Sequence, residues 1–183
     1  MLNNIFNDFI LEEKVPESII NKYDRVIPDK LLEIWKTYGF GSILNGYLKI
    51  VNPDDFDETL KAVYVRSKDA ITLFTTSMGD ILVWEDNKYL ILLNFRKGKI
   101  KAVSSGFRFF FSDLEEDKEF YEEVLDWLPY PEAIEMNGKP AYDECFGYTP
   151  LLGLGGLEKV ENLKKMKLKE HIGMITQFMG QIE

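Results

Sequence analysis

At 183 residues the chain is long enough for one domain or two small units sharing a core, and 45% hydrophobic with 14% aromatic residues allows a sizeable core without metals or disulfides. A single cysteine, Cys145, excludes an internal disulfide and a multi-cysteine zinc site, and points to the reducing cytoplasm. With 22 basic against 31 acidic residues the formal net charge is -9, which argues against docking on nucleic-acid phosphates or anionic lipid and suits a basic protein partner.

The first eight residues lack the basic start and long apolar core of a signal peptide, and no apolar run reaches the ~20 residues that span a bilayer. Leu2, Ile5, Phe6, Phe9 and Ile10 recur at helical spacing, so a helix is predicted over Leu2–Glu12. Pro16–Lys22 reads as a short second helical segment. Pro28 then opens a clear helix whose apolar face is Leu31, Leu32, Trp35 and Tyr38, with Gly39 suited to close it in the left-handed conformation. The glycine-punctuated run from Gly39 to Gly46 is expected to be a loop. Tyr47–Val51 follows as a strand ended by Asn52-Pro53. Pro53 to Val65 is a predicted helix with an acidic first turn.

Ala70–Thr76 leads into the stretch around which the chain is organised. Asp80–Glu85, Tyr89–Phe95, Lys99–Val103 and Phe107–Phe111 are β-branched and aromatic runs separated by turn residues, the pattern of an antiparallel meander. Strand alternation in Phe107–Phe111 sends Phe107, Phe109 and Phe111 to one face, Arg108 and Phe110 to the other. If that second face is open, Phe110 beside Arg108 is an aromatic–arginine pair of the kind enriched in binding hot spots; if a helix covers it, the sheet is buried on both sides. Ser112–Glu115 is a capping-box sequence for a helix running to Leu128. Between Asp113 and Asp126 there are eight acidic residues and one lysine, Lys118, which form either a solvated outer face or a partner surface. Pro129-Tyr-Pro131 should stop that helix. Glu132–Ala141 reads as irregular and Tyr142–Phe146 as a short helix or turn. Tyr148–Gly156 is a glycine-rich connector, and Leu157–Met166 and Leu168–Met179 are predicted closing helices.

No constellation carries legible chemistry. His171 is the only histidine and lies beside the apolar stripe of the last helix, so a hydrogen-bonded packing role is expected. Cys145 has no neighbour in sequence that would lower its pKa and reads as a semi-buried small residue. Gly153-Leu-Gly-Gly156 precedes a helix but matches no phosphate-binding motif, and tight backbone packing accounts for it better. No carboxylate pair stands out as acid and base.

Two stretches carry a family resemblance. Ile27–Gly41 followed by Gly46–Pro53 resembles the opening of GAD-like domains and, more distantly, the proline–helix–Tyr-Gly start of SUKH-type immunity domains. Phe146–Gly156, with Val160–Leu163 and Lys169–Ile172, resembles the C-terminal domain of immunity proteins that protect bacteria from type VI secretion DNase effectors. Together they span nearly the whole chain in order. The resemblance implies a scaffold without catalytic, cofactor-binding or metal-binding residues, which neutralises a cognate toxin by binding it.

The expected fold is therefore α+β: N-terminal helices, a central antiparallel meander and a C-terminal helical cap. Residues 1–112 are expected to form the GAD-like domain and residues 113–183 the immunity-protein C-terminal helical domain, packed as one unit. The function implied is neutralisation of a secreted toxin, a nuclease effector with a basic surface, in the cytoplasm. Arg108, Phe110, Glu115, Glu116, Glu119, Glu122 and Glu123 are the expected contact residues. The alternative from another class is a small-molecule-binding or regulatory domain with a pocket near the glycine-rich connector and the sheet.

Overall fold

Seven strands form one antiparallel sheet whose spatial order is the order of the chain. They are β1 (Ile10–Glu13), β2 (Phe40–Ile43), β3 (Leu48–Ile50), β4 (Ala70–Thr76), β5 (Ile81–Glu85), β6 (Tyr89–Asn94) and β7 (Lys99–Ser105). The structure, a computed structural model, describes residues 5–183. Helices α1 (Glu17–Tyr23) and α2 (Asp29–Thr37) lie in the chain between β1 and β2, and α3 (Asp57–Val63), preceded by a 3-10 turn at Pro53–Phe56, between β3 and β4. Beyond the sheet come α4 (Phe110–Glu116), a π-helical turn at Phe120–Val124, and α5 (Tyr130–Asn137). The hairpin-like pair β8 (Glu144–Tyr148) and β9 (Leu163–Lys167) and the closing helix α6 (Leu168–Met179) complete the chain. The fold is α+β.

The central strands are apolar on both faces, and the alternation shows why. On β5, Leu82 and Trp84 pack into one core while Ile81 and Val83 pack into another. On β6, Leu90 and Leu92 join the first core, and Ile91 and Leu93 the second. The first is closed by α2, α4 and α5 through Leu31, Trp35, Phe110, Phe111 and Tyr130; the second by α3 and α6 through Leu60, Val63, Ile172 and Ile175. A sheet covered on both sides reads in sequence as continuous hydrophobic runs, as Ile81–Trp84 and Leu90–Leu93 do. At the β5–β6 turn Asp86 and Asn87 both take positive φ (54° and 51°), and the Lys88 N–H donates back to the Glu85 carbonyl to close the turn before Tyr89 pairs with Glu85.

Several expected elements hold. Strands β5 to β7 lie where the meander was predicted and β3 and β4 where the strands Tyr47–Val51 and Ala70–Thr76 were expected, and α2 buries Leu31, Leu32 and Trp35 and is followed by Gly39 with φ of 94°. Helix α6 buries Leu168, Ile172 and Ile175 of its predicted stripe, whereas Phe178 and Met179, expected on the same stripe, are exposed.

Others are corrected. Residues 2–4 of the expected Leu2–Glu12 helix lie outside the described residues, and Ile10–Glu13 is an edge strand paired with β2. The expected loop Gly39–Gly46 contains β2, which β1 and β3 flank. Gly41 permits this pairing because a Cβ there would stand 2.2 Å from the Ile10 carbonyl oxygen. The predicted strand Phe107–Phe111 is instead a bend leading into α4. Phe107, Phe110 and Phe111 stand at helical i, i+3, i+4 spacing and all three bury against Phe74, whereas a strand could bury only alternate residues.

The long acidic helix is also broken. Asp117 leaves α4 with extended backbone (φ -114°, ψ 99°), and Asp126 takes φ of 58°. Asp126 is drawn inward by Arg96 and Lys97, which a continuous helix would not allow. Pro129 and Pro131 start α5 rather than merely stopping a helix; a proline in the first turn has no hydrogen bond to lose. Finally, Tyr142–Phe146 and Leu157–Met166 hold parts of β8 and β9, whose mutual pairing supplies backbone bonds that neither could satisfy alone.

Candidate partner-binding surface

The acidic segment is anchored by its apolar residues and turns Glu116, Glu119 and Glu123 outward. Phe110, Phe111, Leu114 and Leu125 are buried. Glu116, Glu119 and Glu123 are exposed, Glu115 is half-buried, and the half-buried Glu122 pairs with Lys118 at 2.8 Å. Arg108 is exposed with its guanidinium 5.1 Å from the ring centre of Phe109. Phe110, by contrast, is 1% exposed and belongs to the core, while Phe109 is 62% exposed. The aromatic–arginine pair on this surface is thus Arg108 with Phe109.

Beneath the acidic segment lies a buried charge network with no counterpart in the sequence reading. Arg96, in the turn after β6, binds Asp80 at 2.6 Å and Asp126 at 3.2 Å. Lys97 reaches Asp126 and Glu158, each at 2.9 Å, and the Asn94 amide donates to Asp126. Burial alone would pull the Arg96 pKa down, but Asp80 and Asp126 raise it above its ordinary value. Burial likewise pushes the Asp126 carboxyl up, and Arg96 and Lys97 outweigh it, so Asp126 stays below the usual carboxylate range. Tyr47 donates to the Leu125 carbonyl, and the buried Lys49 donates to the carbonyls of Ala141 and Glu144. These bonds tie the seven-stranded sheet and its turns to Leu125, Asp126, Ala141, Glu144 and Glu158 in the later part of the chain. The available signal was an Asp and an Arg at the same end of one antiparallel hairpin, since Ile81 pairs with Leu93.

His171 is buried as expected, but the expected hydrogen bond is absent: neither ring nitrogen has a partner among the described residues. Gly147 makes room for the ring, since a Cβ there would stand 2.4 Å from the His171 Cε1. Burial, with the nearby Arg96 charge, pushes the imidazole from its ordinary value near 6.5 down to about 4. Above pH ~6.5 the ring is neutral in both folded and unfolded chains. As pH falls toward about 4, the unfolded chain takes up a proton that the folded one refuses, so stability drops. Wild type should therefore lose about 2–3 kcal/mol between pH 7 and pH 4.5 that a His171→Leu variant does not lose. Urea unfolding of both proteins at the two pH values measures it, because carboxylate titration is common to both.

Cys145 is fully buried and its thiol is pushed up to about 12 by burial. Among the described residues no group of three or more His, Cys, Asp or Glu side chains could hold a metal ion. Around Gly156 the connector turns tightly, since a Cβ there would lie 2.0 Å from the Pro150 carbonyl oxygen. No helix of the described residues is long and apolar enough to cross a membrane.

This is an α+β scaffold with one sheet covered on both faces and an acidic outer segment. The chain belongs to the GAD-like domain family, whose model matches residues 1–95. Residues 104–179 match the model of the T6SS immunity protein Tdi1, C-terminal. Both matches agree with the resemblance read from the sequence. The crystal structure of Atu4351 from Agrobacterium tumefaciens has the same fold, with a TM-score of 0.75 at 18% identity over 97% of this chain and 89% of that chain. No curated protein matches the sequence.

Proposed function

We propose that this chain is a type VI secretion immunity protein that binds a cognate toxin in the cytoplasm and neutralises it by steric and electrostatic occlusion, without catalysis. The observation that carries the reading is the match of residues 104–179 to the Tdi1 C-terminal model. The net charge of -9 and the acidic segment favour a partner with a basic working surface, such as a nuclease around its nucleic-acid cleft. Residues 1–112 and 113–183 act as two parts of one binding unit, joined through the core they share.

The contact residues in this reading are Arg108, Glu115, Glu116, Glu119, Glu122 and Glu123, with Phe109 in the place first given to Phe110. Phe109 supplies apolar area and the glutamates supply long-range attraction, in an interface of about 800 Å² per partner. Glu116, Glu119 and Glu123 are exposed, so reversing all three to Lys leaves the fold intact. The triple variant should bind the effector at least roughly tenfold more weakly at low salt and lose most of the salt dependence seen with wild type. Biolayer interferometry against the effector encoded beside it measures this. Unchanged affinity of the triple variant would remove the acidic segment from the interface.

A further inference from the structure

Between the β6–β7 turn, the connector after β8 and helix α6 the fold leaves a cleft of about 400 Å³. Its walls include Phe95, Leu151, Leu152, Ile175 and Met179, so it is mainly apolar. Arg96 and His171 also line it, although they are only 5% and 2% exposed, which places them at its floor. Arg96 commits Nε and Nη2 to Asp80 and Asp126, and its Nη1 has no partner among the described residues. Both nitrogens of His171 are likewise unpartnered among the described residues. Buried polar groups are nearly always hydrogen-bonded, and the apolar walls offer these no acceptor or donor. The volume is in the range of small-molecule sites, roughly 300–1,000 Å³, and far exceeds the ~30 Å³ share of one water.

The charge around the cleft selects the ligand class. At the floor Arg96 is neutralised by Asp80 and Asp126, and Lys97 by Asp126 and Glu158, while Lys99 is exposed to water at the rim, so no charge is left over at the floor to hold an ion. A carboxylate brought to Arg96 would face a guanidinium that Asp80 and Asp126 already neutralise, and would lose its hydration. The imidazole is uncharged at neutral pH and offers one donor and one acceptor. Arg96 Nη1 offers donors only.

We propose that this cleft binds a small uncharged molecule with an aliphatic body and a carboxamide-like head, the head carbonyl accepting from Arg96 Nη1 and the head N–H donating to a His171 ring nitrogen. The apolar walls take the aliphatic body. This site is independent of the immunity reading and stands whether or not the chain neutralises a toxin.

Because His171 is the only histidine, its Hε1 proton gives a single assignable NMR signal on the cleft floor. Titrating the full chain with octanamide should shift that signal saturably and raise the melting temperature. Octanoate and octylamine, equal in length but charged, should bind at least roughly tenfold more weakly. Ile175→Trp, which fills the cleft, should abolish the octanamide shift. Met179→Trp at its exposed mouth serves the same purpose if the first variant does not fold. The proposal is overturned if octanamide leaves the His171 signal unmoved up to its solubility limit. It is equally overturned if octanoate binds as well as octanamide, or if a folded cleft-filling variant shifts as wild type does.

Discussion

Replacing Arg96 with Met should destabilise the protein by about 3–5 kcal/mol, the cost of leaving a buried charge without its partner. The Arg96 and Asp80 side chains are 1% and 0% exposed, so the carboxylate stranded by the substitution has little access to water. For a chain of this size the melting temperature should fall by roughly 10 °C. Lys97→Met removes a neighbouring cation that is a quarter exposed and should cost no more than about 1 kcal/mol. The double variant Asp80→Leu, Arg96→Met leaves no charge unpaired at the Asp80–Arg96 contact and should recover much of the loss, a positive coupling that a double-mutant cycle reads directly. Because Arg96 holds Asp126, the single variant should also loosen residues 118–126, visible as faster amide exchange there than in the β5–β6 hairpin. An Arg96→Met protein within about 1 kcal/mol of wild type by urea unfolding would contradict the assignment.

Phe110→Ala and Phe109→Ala should part company completely, although the two rings are adjacent in sequence. Phe110 packs with centroids 5.3 Å from Phe74, 5.3 Å from Phe107 and 5.2 Å from Phe111, and its loss leaves a cavity in a core shared by the sheet and α4. The expected cost is about 3–5 kcal/mol, at or above the other single-site effects predicted here. Phe109 is 62% exposed and touches Arg108, so its truncation should change stability by no more than about 0.5 kcal/mol. Binding should show the opposite ranking per folded molecule: Phe109→Ala weakens the effector complex, and Phe110→Ala leaves the contact surface in place at temperatures where it stays folded. Equal stability of the two variants would restore the strand reading of Phe107–Phe111.

That five-residue run also shows where sequence reasoning stops. Phe107, Phe110 and Phe111 satisfy helical spacing and Phe107, Phe109 and Phe111 satisfy strand spacing, and so few residues cannot separate a period of 3.6 from one of 2. Strands β4 to β7 were legible because each is followed by its partner, so turn residues and apolar runs carry the whole signal. Strands β1, β8 and β9 were not, because their hydrogen-bond partners lie beyond intervening helices or a long connector, and β2 was not because Phe40–Ile43 is short and weakly patterned although β3 follows it across a tight turn. On the surface, the glutamates after Asp113 were legible as charge, since carboxylates without buried partners stay in water. Asp80, Arg96 and Asp126 were invisible as a set because they are brought together only by the hairpin register and by the positive φ of Asp126. His171 was legible as a buried histidine. That its ring would lie against Gly147 with no hydrogen bond depends on the approach of α6 to β8, which no local pattern encodes.

The most direct test of the immunity reading is capture of the purified effector by the purified chain, measured at 50 mM and 500 mM salt. The account predicts a stoichiometric complex at low salt whose affinity falls steeply at high salt, as electrostatic association between an acidic and a basic surface requires. No complex at either salt concentration, with both proteins folded, would contradict it.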